Sequence, residues 1–144
     1  MPSSLSTRIH HLTSSVASFS RLGSGLTLRP YQAQIACAVA DSVLHNLART
    51  FVVILPRQSG KNETSAQLQA YLLCLFSHRP VEIVSVSPTF KPQTINAMDR
   101  LARALESNPL TRGRWKRHAG YTFTLAQQSQ QQKQCADRPR AAHE

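Results

Sequence analysis

Residues 51–63 read Phe-Val-Val-Ile-Leu-Pro-Arg-Gln-Ser-Gly-Lys-Asn-Glu. An apolar run enters a short polar loop, the loop ends in Gly60-Lys61, and a helix-forming segment follows. Each residue type has a chemical consequence. Gly60 lets the backbone come close to a bound group. Lys61 carries an ammonium at the start of a helix, where free backbone N–H groups and the helix dipole already favour an anion. Together they suit a polyphosphate, with Lys61 on its outer phosphates, and so point to a nucleoside triphosphate. Two positions depart from the usual loop of this kind. Leu55 stands where a first glycine is expected, and Asn62 stands where a hydroxyl would hold Mg²⁺. An amide oxygen is still a ligand for a hard cation, so Asn62 is the candidate metal contact. Glu63 adds an acid beside the site, acting through the metal or opposing the phosphates.

Positioning such a loop requires a strand before it and a helix after it. Residues 51–55 are β-branched, aromatic and apolar without alternation, which suits a strand buried on both faces of a parallel sheet. A helix is expected from Pro30 to about 48–50, with Ile35, Val39, Val43 and Leu47 as its apolar stripe. A second spans 61–76 on Leu68, Leu72, Leu75 and Phe76. A second strand covers 81–86, and Ser87-Pro88-Thr89 forms the loop after it. A third helix covers 93–106, with Ile95, Met98, Leu101, Ala102 and Leu105 on one face, and residues 120–125 suit one more short strand. The order predicts an α/β fold: an incomplete parallel sheet with flanking helices and a right-handed crossover. Three regions follow. Residues 1–25 are a Ser-rich leader expected to be disordered or loosely packed. Residues 26–125 form a partial phosphate-loop domain. Residues 126–144 form a Gln-rich tail expected to be disordered.

The net charge is +10. Residues 1–50 hold four Arg against one Asp, and residues 101–144 hold eight Lys or Arg against three acids. That balance favours polyanionic partners, nucleic acid first among them. Arg112, Arg114, Lys116 and Arg117 around Trp115 form a basic-aromatic cluster, which suits either DNA contact or a solvated turn in which Trp115 packs. The cysteines Cys37, Cys74 and Cys135 have no paired spacing, and the first two sit in apolar helical patterns, which suits core packing in a reducing compartment. The histidines show no metal-ligand spacing. No apolar run approaches the length of a membrane span. The leader weakly matches an organellar targeting peptide, although Ser-rich leaders without that role are common.

Three segments together resemble the large subunit of tailed-phage terminases: Leu28-Arg29-Pro30-Tyr31-Gln32, then Pro56-Arg57-Gln58-Ser59-Gly60-Lys61-Asn62-Glu63, then Val84-Ser85-Val86-Ser87-Pro88-Thr89. The similarity covers roughly residues 26–125, the N-terminal part of that family's ATPase domain. The family uses an Arg-x-x-Gly-Lys loop without the leading glycine, so Leu55 is what the resemblance leads one to expect. It implies ATP and Mg²⁺ as cofactors. Lys61 would bind the β- and γ-phosphates, and Arg57 would sense or stabilise charge on the γ-phosphate; these two are the catalytic candidates. Asn62 would contact magnesium. Arg29, Tyr31 and Gln32 would meet the adenine, Gln32 reading its edge and Tyr31 packing nearby. Pro56, Gln58, Ser59 and Gly60 would complete the nucleotide loop, and Ser87, Pro88 and Thr89 would couple it to DNA. The implied partners are double-stranded DNA and, for the intact family, a portal protein and a small terminase subunit, with no membrane. The implied location is the cytoplasm of a bacterial host.

Hydrolysis in such motors needs an apolar strand ending in Asp-Glu. The acids after the loop are Glu63, Glu82, Asp99, Glu106, Asp137 and Glu144, and none fits. The family's nuclease carboxylates are absent too. The expectation is therefore a truncated or frameshifted prophage remnant that binds nucleotide without cutting it. Two alternatives stand beside it: a fragment of a superfamily 2-type helicase or other DNA-dependent ATPase, and a non-enzymatic basic nucleic-acid-binding remnant with an accidental Gly-Lys.

Overall fold

A computed structural model describes residues 4–119 and 121–126. Among them lie five α-helices: α1 (Ser4–Thr13), α2 (Val16–Ser18), α3 (Pro30–Leu44), α4 (Lys61–Leu75) and α5 (Ile95–Ser107). A two-stranded antiparallel sheet, β1 (Trp115–His118) with β2 (Thr122–Leu125), follows α5. The fold is thus mixed α and β. Helix α4 is central, packing against α3 on one side and α5 on the other.

Local chemistry sets the helix ends. Pro30 opens α3, where its fixed φ costs nothing, and the Arg29 N–H donates to Gln32 Oε1 at 2.9 Å. The helix stops at Leu44, short of the 48–50 expected, because Asn46 and Ala48 take left-handed backbone angles (φ 52° and 49°) that no helix can carry. Helix α4 begins after Gly60 and runs to Leu75; α5 begins two residues later than expected, after the turn Phe90–Thr94.

The core joins α3, α4 and α5 to the N-terminal region. Ala36, Ala40, Ala66 and Ala70 let the helices approach closely, and Tyr71, Leu101 and Leu105 fill the centre. Here the loosely packed leader expected from sequence is corrected. Leu12, Val16 and Phe19 recur at helical spacing, and Val16 and Phe19 are fully buried. The Phe19 ring meets Tyr71 edge-on at 5.5 Å, and the Tyr71 hydroxyl donates to Thr13 O at 3.0 Å. Asn108, wholly buried past the end of α5, donates from Nδ2 to Phe19 O at 3.2 Å and accepts from Leu110 N–H at 3.0 Å. Gly23 leaves room for that amide, since a Cβ there would lie 2.0 Å from Asn108 Nδ2.

The sheet observed is only the small antiparallel one, and the parallel sheet expected from the sequence is not seen among the described residues. Residues 51–55 and 81–86 run without helix or strand pairing, and among the described residues their backbones make no hydrogen bond. Each segment lies over a different furrow. Phe51, Val53 and Leu55 face Ile35 and Val39 of α3 and Thr64 and Leu68 of α4. Val81 and Ile83 face Gln69 and Leu73 of α4 and Met98 and Leu101 of α5. With α4 between them, they do not reach each other. Val43 and Leu47, expected in the apolar stripe of α3, are exposed. The expected strand at 120–125 forms as β2, but it pairs with a segment not foreseen as a strand. Cys37 and Cys74 are half-buried thiols, and burial raises the Cys74 pKa. The Gln-rich tail, from residue 127, and Cys135 lie outside the described residues.

Candidate functional site

The loop between residue 55 and α4 is held by its carbonyls. The Tyr31 hydroxyl donates to Ser59 O at 2.7 Å, and Gln32 Nε2 donates to Ser59 O at 3.0 Å and to Gly60 O at 3.4 Å. Arg29 Nη1 reaches the Tyr31 hydroxyl at 3.4 Å. Gln32 is buried, and both ends of its amide are engaged, Oε1 at the start of α3 and Nε2 on the loop. Residues Arg29, Tyr31 and Gln32 are therefore brought to the loop. Tyr31 and Gln32 bond to its backbone, and Gln32 acts as a latch.

Two left-handed residues shape the turn, Gln58 (φ 62°) and Gly60 (φ 78°). Glycine is needed at 60 for a second reason: a Cβ there would lie 2.4 Å from Gln32 Nε2. The Gly60 carbonyl accepts the first helical hydrogen bond, from Thr64 N at 3.0 Å, and the Thr64 hydroxyl at 3.1 Å. No side chain caps α4. The N–H groups of its first turn thus have no intrahelical acceptor and lie at the positive end of the helix dipole.

Arg29, Tyr31, Leu55, Pro56, Arg57, Gln58 and Ser59 line a cleft of about 430 Å³. Lys61 borders the neighbouring furrow, of about 410 Å³, with Phe51, Val53 and Thr64. Arg57, Lys61 and Asn62 are exposed, so each is free to meet a solvent-borne ligand. The Ser59 hydroxyl is buried and bonded to no described group. Ser87, Pro88 and Thr89 are not joined to the loop by any hydrogen bond; Thr89 O instead accepts from Thr94 N–H and Thr94 Oγ1, the latter at 3.1 Å.

Glu63 is turned toward α5. Its carboxylate pairs with Arg100 Nη1 of α5 at 3.1 Å and accepts from Gln67 Nε2 at 3.2 Å. The acid beside the loop thus has a cationic partner. Sequence reasoning missed Arg100, because 37 residues separate the partners and only the α4–α5 packing joins them.

The basic-aromatic cluster is largely spent inside the fold. Arg112 Nε donates to Glu106 O at 2.8 Å, and Arg114 donates to Leu110 O at 2.6 Å and Ala126 O at 2.9 Å. Arg117 pairs with Asp99 at 2.9 Å and lies over the Phe123 ring. Trp115 stacks on Phe123 at 5.6 Å and donates from Nε1 to Glu106 Oε2 at 3.0 Å. These residues clasp the hairpin to α5.

The donor chemistry fits a polyphosphate at the loop, with backbone N–H groups, Lys61 and Arg57 all unspent. It offers little to a metal on its own. Among the described residues no three His, Cys, Asp or Glu gather at one point. Also among the described residues, no helix is long and apolar enough to cross a membrane. No protein-family model, curated protein or solved structure matches this chain.

Proposed function

We propose that residues 26–125 are a nucleotide-binding unit of the terminase large-subunit kind, holding ATP with Mg²⁺ at the loop 56–62. The observation that carries this reading is the latched loop. An extended apolar segment leads into a turn whose Ser59 and Gly60 carbonyls are pinned by Tyr31 and Gln32, and the turn delivers Lys61 to the uncapped start of a 15-residue helix. Pinning the carbonyls from behind leaves the opposite side of the peptide groups for an anion. In this account Lys61 neutralises the β- and γ-phosphates, Arg57 lies at the mouth of the cleft beside the γ-phosphate, and Asn62 contacts the magnesium. Magnesium, when bound, would offset phosphate charge. Tyr31 and Gln32 act as positioning residues, and Arg29 at the cleft edge is left to meet the base.

Segments 51–55 and 81–86 are, on this reading, two strands of an incomplete parallel sheet, and Ser87-Pro88-Thr89 is a link toward double-stranded DNA. No strand in this sequence ends in the two acids that hydrolysis requires, so binding without turnover is the expected behaviour. The test is a calorimetric titration of the full chain with ATP and Mg²⁺. Weak saturable binding is expected, reduced about ten-fold or more in Lys61→Ala by loss of a charge-assisted contact. Equal binding by that variant would rule out the site. Turnover that disappears in the same variant would overturn the claim that the unit only binds.

A further inference from the structure

Two segments, 51–55 and 81–86, run unpaired among the described residues. In 51–55 the side chains alternate between the helices and solvent; in 81–86 Val81 and Ile83 are less exposed than Val84 and Val86, although Glu82 and Val84 border the same furrow. Val52 and Ile54 are 84% and 90% exposed, and Val84 and Val86 are 75% and 89% exposed. Such alternation is that of strands laid on a helical layer, yet neither backbone is hydrogen-bonded among the described residues. Bare edges of this kind are templates for pairing. Their separation follows from what they rest on. One lies over the α3–α4 furrow and the other over the α4–α5 furrow. Packed helices stand about 8–10 Å apart, and paired strands about 4.8 Å apart, so successive furrows are about two strand spacings apart. That leaves room for one strand, bonded to both neighbours.

We infer that this slot takes an extended, β-branched strand with acidic flanks, supplied by a polypeptide outside residues 1–144. Residues 127–144 contain no Val, Ile, Leu, Thr or aromatic residue and cannot supply it. A second copy is disfavoured by charge. The net charge is +10, and Arg49, Arg57 and Arg79 stand at the ends of the two segments, where an identical molecule would present the same cations. Those arginines complement acids at the ends of an incoming strand. Strand addition of this type draws affinity from main-chain hydrogen bonds and selectivity from side chains on alternate positions. The inference rests on the bare segments and stands whether or not the loop binds nucleotide.

The test uses the full chain and a fluorescein-labelled octapeptide, Asp-Thr-Val-Thr-Val-Thr-Val-Asp, followed by fluorescence anisotropy. Two further peptides carry N-methyl groups on the three valines or on the three threonines, each blocking one edge. The unmodified peptide should bind, and each methylated peptide should bind about ten-fold or more weakly, because both edges are used. The double variant Val52→Ser with Ile54→Ser changes only outward-facing side chains. It should keep its helical circular dichroism and lose peptide binding. No binding at millimolar peptide overturns the inference. Loss from only one methylated peptide means single-edge pairing and overturns the slot. A dimer in sedimentation equilibrium that the double variant abolishes assigns the edges to a second copy and also overturns it.

Discussion

Gly60→Ala probes the latch behind the loop most sharply. An alanine at φ 78° sits in the left-handed region, which costs an L-residue about 1–2 kcal/mol. Its Cβ would lie 2.4 Å from Gln32 Nε2, so the amide must withdraw from Ser59 O and Gly60 O. Losing that bonding adds about 1 kcal/mol, because Tyr31 still donates to Ser59 O. The total is about 2–3 kcal/mol. At a typical urea slope of about 2 kcal/mol/M, the midpoint should fall by about 1 M or more. The two parts separate in a double-mutant cycle with Gln32→Ala. With the amide gone, Gly60→Ala should cost only its backbone share, which makes the coupling about 1 kcal/mol. Urea unfolding followed by circular dichroism measures all four proteins. If Gly60→Ala costs the same in both backgrounds, the close approach of Gln32 to the loop is wrong.

Tyr31→Phe removes one bond to Ser59 O and should lower stability by about 1 kcal/mol in the same assay, with no loss contradicting the latch. Arg100→Ala breaks a half-exposed pair with Glu63, so it should cost only about 0.5 kcal/mol and less in high salt; a salt-independent cost would place the pair in a drier setting. Burial raises the pKa values of Tyr71 and Cys74 above their ordinary 10.0 and 9.0. Folding therefore favours their neutral forms, and the stability they contribute is complete below pH 9 and is lost as pH rises through the raised values. Alkaline unfolding should be milder in Tyr71→Phe, and an unchanged pH profile would remove Tyr71 from the account.

The sequence made the helices legible because each carries its own signals. Pro30 begins α3, Gly60 precedes α4, and Met98, Leu101 and Leu105 trace the buried face of α5. The loop was legible through Gly60 and Lys61. The leader was misjudged because its few apolar residues sit among serines, and their burial depends on Tyr71 and Asn108, far along the chain. The strands were expected from local apolar, β-branched and aromatic content, but pairing is a property of neighbours, and among the described residues neither segment is paired. Arg100 and the working side of Gln32 were invisible for a related reason. Both are defined by contacts across α3, α4 and α5 that no local pattern encodes.

The central claim is that the backbone from Ser59 to Glu63 receives phosphate. Amide chemical shifts of the ¹⁵N-labelled chain, recorded with ATP, with inorganic triphosphate and with adenosine, test it most directly. The account predicts that ATP and triphosphate shift the amides of Ser59, Gly60, Lys61, Asn62 and Glu63, and that adenosine leaves them in place. Shifts that follow adenosine instead, or that miss these five amides, would contradict it.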